Sequence, residues 1–323
     1  MTDRLATVGV RSGGVAVGLV LDQILGEPPN AVHPVAVFGT AMTALERRIW
    51  ADRRANGVVY TGIGLTVGIG AGKLARSTAL AVTVAVAARE LRRVAAAIGD
   101  QAADGDLDAA RATLPSLVGR DPSELDGSGI ASAVIESLAE NAVDAMVAPV
   151  FWGVVVGAPG ALGYRAINTM DAMVGHRSDR FRRFGWAAAR LDDAANWVPA
   201  RLYATAVAVT NPSRGRTVLD LVRRDAGAHP SPNAGVAETA MAAAIGRELG
   251  GPLRYGTRTE NRPTLGDGPR PEPEDIRRAV AVATRVERAI TATLAAAWLV
   301  SAGRTAIRGR RAERRTGRSA RSR

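Results

Sequence analysis

The sequence predicts an all-α fold, a polytopic helical membrane protein with short or re-entrant apolar helices and cytoplasmic helical loops. Hydrophobic residues make up 47% of the 323-residue chain but aromatics only 4%, so the apolar content is mostly Ala, Val and Leu. Five apolar stretches, 5–21, 58–72, 77–88, 145–164 and 289–303, stand out, and no segment shows the period-two alternation of a half-buried strand. Only 145–164 reaches the roughly twenty uncharged residues of a full crossing; the others read as short spans, tilted pairs or re-entrant segments. The mean hydropathy, +0.02, is too low for spanning helices alone, so polar loops alternate with membrane segments.

Taken in order, 5–21 is the first membrane-contacting helix. Arg4 and Arg11 precede or enter it and Asp22 follows at once, without the small-residue pattern of a cleavable signal. Lys73 and Arg76 separate 58–72 from 77–88, giving either a hairpin with a polar turn or one broken helix. Gly68-Ile-Gly-Ala-Gly-Lys73 superficially resembles a phosphate loop, but it is one residue short and Leu74 replaces the required Ser or Thr. It reads as a glycine-rich membrane helix.

Residues 89–140 read as helical and water-facing, with a helix start at Asp121-Pro122-Ser123-Glu124. Residues 257–273 form an exposed Pro-rich loop, and 274–303 form one helix, polar first and apolar last. The expected organisation is a single membrane-embedded helical domain, 1–303, with polar loops at 89–144, 165–200 and 211–288. A basic disordered tail, 304–323, follows.

Net charge is +11, and 304–323 holds nine arginines against Glu313 alone. Beside an apolar run, such a tail marks the cytoplasmic side and touches anionic lipid; without a recognition motif or interleaved aromatics, nucleic acid is not an expected partner. The absence of cysteine excludes disulfides, thiolate nucleophiles and cysteine-ligated metals. No G-x-S-x-G, H-E-x-x-H or dinucleotide fingerprint occurs.

The polar chemistry gathers between 136 and 201. Glu136, Glu140 and Asp144 recur every four residues and would line one helical stripe, able to hold a divalent cation or simply to face water. Asn141 is adjacent. Beyond the apolar run come Arg165, Asn168, Asp171 and His176, then Arg177, Arg180, Arg182 and Arg183, an anion cradle or a positive-inside signal. Arg190, Asp192, Asp193, Asn196 and Arg201 form a third cluster, interleaved with Trp186 and Trp197, which could equally pair among themselves. His33 and His176 lack a partner at metal-binding spacing and read as structural.

The residues resemble the CobD/CbiB family of adenosylcobinamide-phosphate synthases. The resemblance rests on Asp22 and His33-Pro34, Val118-Gly-Arg-Asp121, Glu136-Ser-Leu-Ala-Glu-Asn-x-x-Asp144, Ala148-Pro149 and Gly157-Ala-Pro-Gly160. It continues through Tyr164-Arg-Ala-Ile-Asn168, Asp171-Ala-Met-Val-Gly175, Phe184-Gly-Trp186, Arg190-Leu-Asp-Asp193, Asn196-Trp197, Pro232-Asn-Ala-Gly235 and Gly250-Gly251. Two departures stand out: Gly26-Glu27-Pro28 replaces Gly-Asp-Pro, and His176 replaces a usual Tyr.

The resemblance implies ATP-dependent amide ligation, joining a carboxyl group of adenosylcobyric acid to aminopropanol or its phosphate, with ATP and Mg²⁺ as cofactors. On this reading Glu136, Glu140, Asp144, Asp171 and Asp192 are catalytic candidates, Glu140 and Asp144 also metal ligands. Asn141, Asn168, Arg177, Arg180, Arg190 and Asn196 bind substrate or phosphate. The lipid bilayer, other corrinoid-pathway enzymes and further copies of the chain are the expected partners. A membrane transporter or binding protein for an anionic or corrinoid ligand is the alternative, and an assembly scaffold a third. A single crossing by 145–164 would part the acidic stripe from the arginine loop, but a break at Gly157–Gly160 would fold it into a re-entrant hairpin. The expectation is a multi-pass cell-membrane protein with that hairpin, both polar clusters and the C-terminal tail facing the cytoplasm.

Overall fold

The computed structural model describes residues 2–29, 32–119, 121–176, 178–255 and 258–320. Helix accounts for 78% of the chain, in keeping with the expected helical fold. Among the described residues, three helices are long and apolar enough to cross a membrane: Thr7–Leu25, Arg54–Ala75 and Gly127–Val156. The chain has the build of a helical membrane protein.

The elements are α1 (Thr2–Leu25), α2 (Pro34–Ile49), α3 (Arg54–Ala75), α4 (Thr78–Ala85), α5 (Ala88–Ala103), α6 (Leu107–Thr113), α7 (Gly127–Ala142), α8 (Ala148–Val156), α9 (Ala158–Val174) and α10 (Trp186–Thr210). Then follow α11 (Gly215–Asp225), α12 (Ala234–Ile245), β1 (Glu248–Tyr255), β2 (Arg258–Gly266) and α13 (Pro273–Ala320).

Glycine brings α3 and α9 together. Gly64, Gly68 and Gly72, four residues apart, form one stripe on α3 and lie against Met170, against Leu162 and Ala166, and against Ala158 and Pro159. A side chain at these positions would force the backbones apart, which is why small residues carry helix contacts where no water drives association. The stretch resembling a phosphate loop is therefore a packing seam. Arg76 in the left-handed conformation and Ser77, which caps α4, break 58–88 into two helices.

The run 145–164 does not cross as one helix. At Gly157 the backbone has φ 85° and ψ −154°, a region open almost only to glycine, and the chain reverses from α8 into α9. Before this turn, α7 continues into α8 through a π-helical turn, Val143–Val147. Pro149 has no N–H to give the Ala145 carbonyl, and that carbonyl instead accepts the Ala87 N–H at 2.9 Å.

The same device recurs in α10. Pro199 lies inside that helix, and the Ala195 carbonyl it leaves unpaired accepts Trp152 Nε1 at 3.1 Å.

The motif around Asp22 joins helix ends. Buried Asp22 accepts the Arg89 N–H at 3.1 Å, while Arg89 Nη1 donates to the carbonyls of Gln23 and Ile24 at 3.1 and 3.0 Å. The start of α5 and the end of α1 thereby satisfy each other's exposed backbone groups. His33 Nδ1 accepts the Val35 N–H at 3.1 Å and caps α2, the structural role expected of it.

Four expectations need correction, besides the water-facing reading of 89–140, within which α7 is buried from Ile130 to Ala139. Asp121 accepts the Ser123 N–H in a local turn, and α7 begins only at Gly127, capped by Asp126. Within the Pro-rich segment, Arg258–Gly266 is strand: β2 pairs antiparallel with β1 in a hairpin, with an irregularity between Leu249 and Gly251. Prolines and positive-φ glycines in these strands hide the alternation that would have announced them. The helix starting near 274 does not end at Gly303, since α13 runs to Ala320.

The fourth concerns the tail. Gly9 lies against Ser301 and Gly13 against Trp298, so α13 runs antiparallel to α1, and Arg11 donates to the Val155 carbonyl beside the Gly157 turn. Asp144 and Asp171 lie thirteen and fourteen residues from that turn, about 20 Å of helix away. The start of the arginine-rich segment and the acidic residues occupy opposite ends of this helical layer, not one face.

Candidate active site

The two arms around Gly157 and the first turns of α10 bring the acidic residues together. Glu140, Asp144, Asp171, Asp192 and Asp193 line one cavity of about 420 Å³, with Asn196 and Asn233 beside them. Arg262, from β2, is the one guanidinium among the described lining residues, and His229 is the one imidazole.

A hydrogen-bonded node fixes its floor. Tyr164 Oη lies 3.1 Å from Asp144 Oδ1 and 2.9 Å from Asn196 Oδ1. Asn196 Nδ2 donates to Asp144 Oδ1 at 3.0 Å and to Asp192 Oδ2 at 2.9 Å. Asn168 Nδ2 approaches Asp192 Oδ1 at 3.5 Å, and Arg165 Nη1 donates to Asn168 Oδ1 at 3.3 Å. The π turn sets Asp144 into this node, a frequent use of such turns at working sites.

Crowded carboxylates resist ionisation. Burial, and then the charges of Asp144 and Asp193, push Asp171 up to about 6. Burial raises Asp192 well above the usual carboxylate range, with Asp144 and Asp171 adding to it. His229 is held below its ordinary value chiefly by burial, so its ring is neutral near pH 7. Its Nδ1 accepts the Ser231 N–H at 3.0 Å, and its Nε2 lies 3.7 Å from Glu238.

Glu140, Asp144, Asp171, Asp192 and Asn196, all expected at a site, converge on the cavity, and Asn168 braces it. Others go elsewhere. Glu136 accepts the Gly250 N–H at 3.0 Å and lies 4.0 Å from Arg262, tying the hairpin to α7. Asn141 donates to Ser137 on another face.

Arg180 does not reach the cavity: it pairs with Glu46 at 2.6 Å and lies 4.8 Å from the Trp50 ring centroid. Arg54 covers Trp186 at 4.9 Å in the same way, giving that end of α3 the arginine–tryptophan rim of an interfacial belt. Arg190 is exposed and 3.8 Å from Asp193, at the cavity's edge. Arg177 lies outside the described residues.

The sequence reading missed Arg262, His229 and Asn233 as site residues. Pro232-Asn-Ala-Gly235 was the available signal: Asn233 Nδ2 donates to the Asp193 carbonyl at 2.8 Å and docks this segment on α10. Arg262 had none, sitting among prolines that read as a loop.

A family model described as CobD/Cbib protein matches residues 15–283. The chain belongs to the CobD/CbiB family. Among its curated relatives, the Cobalamin biosynthesis protein CobD of Mycobacterium tuberculosis is 46% identical over 303 residues, covering 90% of this chain and 96% of the relative. The protein of that name from Rhodobacter capsulatus is 47% identical over 220 residues, covering 67% and 70%, and that from Chromobacterium violaceum 40% over 287, covering 83% and 91%. No solved structure matches the chain. The CobD/CbiB match spans the whole acidic cavity, from Glu140 to Arg262.

Magnesium prefers oxygen ligands, and the carboxylates supply them. Among the described residues, however, no three acidic or histidine side chains converge on a single metal position. Glu140 and Asp144 share the cavity without forming a preassembled metal centre.

Proposed function

We propose that this chain acts in cobalamin biosynthesis as an amide ligase, joining a carboxyl group of adenosylcobyric acid to aminopropanol or its phosphate. One observation carries the reading: among the described residues, five carboxylates and one guanidinium line a single cavity in a helical fold with membrane-length helices. Such a cavity suits an ammonium group or a hydrated cation, and it admits phosphate only with charge compensation.

A carboxylate is a poor acyl donor, and ATP supplies the phosphoryl group that makes its carbon electrophilic. The Asp171 carboxylate, with Asp192 beside it, holds the ammonium and takes its proton. The freed nitrogen then attacks the acyl carbon and phosphate departs. Asp171, pushed up to about 6, is mostly ionised at neutral pH and more basic than an ordinary carboxylate, which suits it to receive that proton. Arg262 balances phosphate charge at the far wall. Magnesium would be held by Glu140 and Asp144 together with phosphate oxygens, neutralising the charge that phosphoryl transfer moves. The cavity end of the layer faces the cytoplasm, where ATP is found.

The test is incubation of the detergent-solubilised protein with adenosylcobyric acid, ATP, Mg²⁺ and either aminopropanol or its phosphate. Mass spectrometry should find the amide together with ADP. ATP-independent passage of the corrinoid into vesicles, without amide, would support transport instead.

A further inference from the structure

Beside the acidic cavity lies an apolar groove of about 310 Å³ between α2, α3, α4 and α9. Val35, Phe38, Val67, Val84 and Leu162 form its walls, and Arg165 is the one charged residue among its described lining residues. A guanidinium opening on apolar surface in a membrane protein is costly and usually has work to do. Arg165 spends one donor on Asn168, but its Nε is buried and makes no hydrogen bond with any described residue. A buried donor without an acceptor is costly, so an acceptor brought to this guanidinium is favoured.

We propose that Arg165 binds the carboxylate of the acyl substrate, whose apolar flank occupies this groove; this rests on the ligase reading above. Three features select that occupant. The groove offers apolar contact and one positive charge, matching an organic acid better than a free phosphate. Arg165 is linked through Asn168 to Asp192, a wall of the acidic cavity, so an acid held by Arg165 lies at the border of the cavity that takes the ammonium. Arg165 also lies eight residues from the Gly157 turn, about 12 Å of helix, deeper than a lipid headgroup at that end. The cavity attracts the cation, and the guanidinium draws the anion to its border.

Two measurements on full-length protein in nanodiscs test this. The first is equilibrium binding of adenosylcobyric acid and of its neutral amide analogue, without ATP or amine. Wild type should prefer the acid, Arg165→Gln should lose that preference, and Arg165→Lys should recover part of it. The second is steady-state ligation. Arg165→Gln should raise KM for the acid roughly 10- to 100-fold, as loss of a charge-assisted hydrogen bond does, with the amine KM within about threefold.

Unchanged preference for the acid in Arg165→Gln would overturn the proposal. So would equal rises in both KM values without rescue by lysine, which would make Arg165 a brace for Asp192. A co-purifying lipid lost on Arg165→Gln, and not displaced by the acid, would assign the groove to lipid and overturn it as well. Arg165-dependent binding without any amide product would refute the ligase reading and leave this inference standing.

Discussion

Trp152 Nε1 donates to the backbone carbonyl of Ala195, 3.1 Å away, across the interface between α8 and α10. The carbonyl is available because Pro199, four residues on, has no N–H to offer it. The bond secures α8 one turn beyond the π segment and α10 one residue before Asn196, so it aligns both walls of the acidic node. Trp152→Phe should cost about 1–3 kcal/mol in denaturant unfolding, since the carbonyl is left buried and unpaired. Adding Pro199→Ala restores an N–H for Ala195 and should recover part of that loss, a coupling that a double-mutant cycle would measure.

Tyr164 is almost wholly buried, at 2% exposure, yet its hydroxyl reaches both Asp144 and Asn196. Tyr164→Phe keeps the ring and removes that link. Ligation should fall roughly 10- to 100-fold with the melting temperature nearly unchanged. A large drop in melting temperature with normal turnover of the folded fraction would make the tyrosine a packing residue.

Two arginines give opposite expectations. Arg262→Ala should suppress ligation, because the cavity loses its guanidinium. Arg180→Ala breaks the pair with Glu46 and the contact with Trp50, and should leave kcat within about threefold. Steady-state kinetics on the two variants decide whether the arginine loop or the β-hairpin meets phosphate.

Asp171 gives a pH signature. Its carboxyl titrates near 6 in the folded protein against about 3.9 in an unfolded chain, so its charge opposes folding. The protonated form's stability is fully present below about pH 4 and is lost as pH rises through 6. Asp171→Asn should therefore raise stability at pH 7.5 and flatten the profile between pH 4 and 7. The amine substrate should bind wild type more tightly as pH rises across the same interval, because an ionised Asp171 then meets its ammonium.

The arrangement of ends predicts an accessibility pattern. The chain has no cysteine, so Ser178→Cys, in the loop before α10, and Leu74→Cys, at the far end of α3 and 82% exposed, can each be labelled alone. In sealed right-side-out vesicles an impermeant maleimide should reach Leu74→Cys and leave Ser178→Cys unmodified. Modification of both from outside would contradict a cytoplasmic cavity.

Much of this was legible in the sequence, and the limits are physical. Hydrophobic runs locate membrane helices because burial in lipid demands them, and Gly157-Ala-Pro-Gly160 announced its own reversal. The i, i+4 spacing of Glu136, Glu140 and Asp144 placed them on one helix but said nothing of what each faces. The hairpin claims Glu136, and the π turn delivers Asp144 to Tyr164 and Asn196. Arg180 and Arg262 are alike in a sequence; only tertiary packing gives one to Glu46 and the other to the cavity. The hairpin itself escaped because prolines and positive-φ glycines erase strand alternation.

The central claim is that the acidic cavity joins a corrinoid carboxyl to an amine. Its most direct test is amide formation from adenosylcobyric acid, aminopropanol phosphate, ATP and Mg²⁺ by wild type, Asp144→Asn and Asp171→Asn, followed by mass spectrometry. The wild type should give the amide with ADP, and both variants should fall at least roughly 100-fold while remaining in the membrane fraction with wild-type elution. Wild-type rates in both variants would contradict the account.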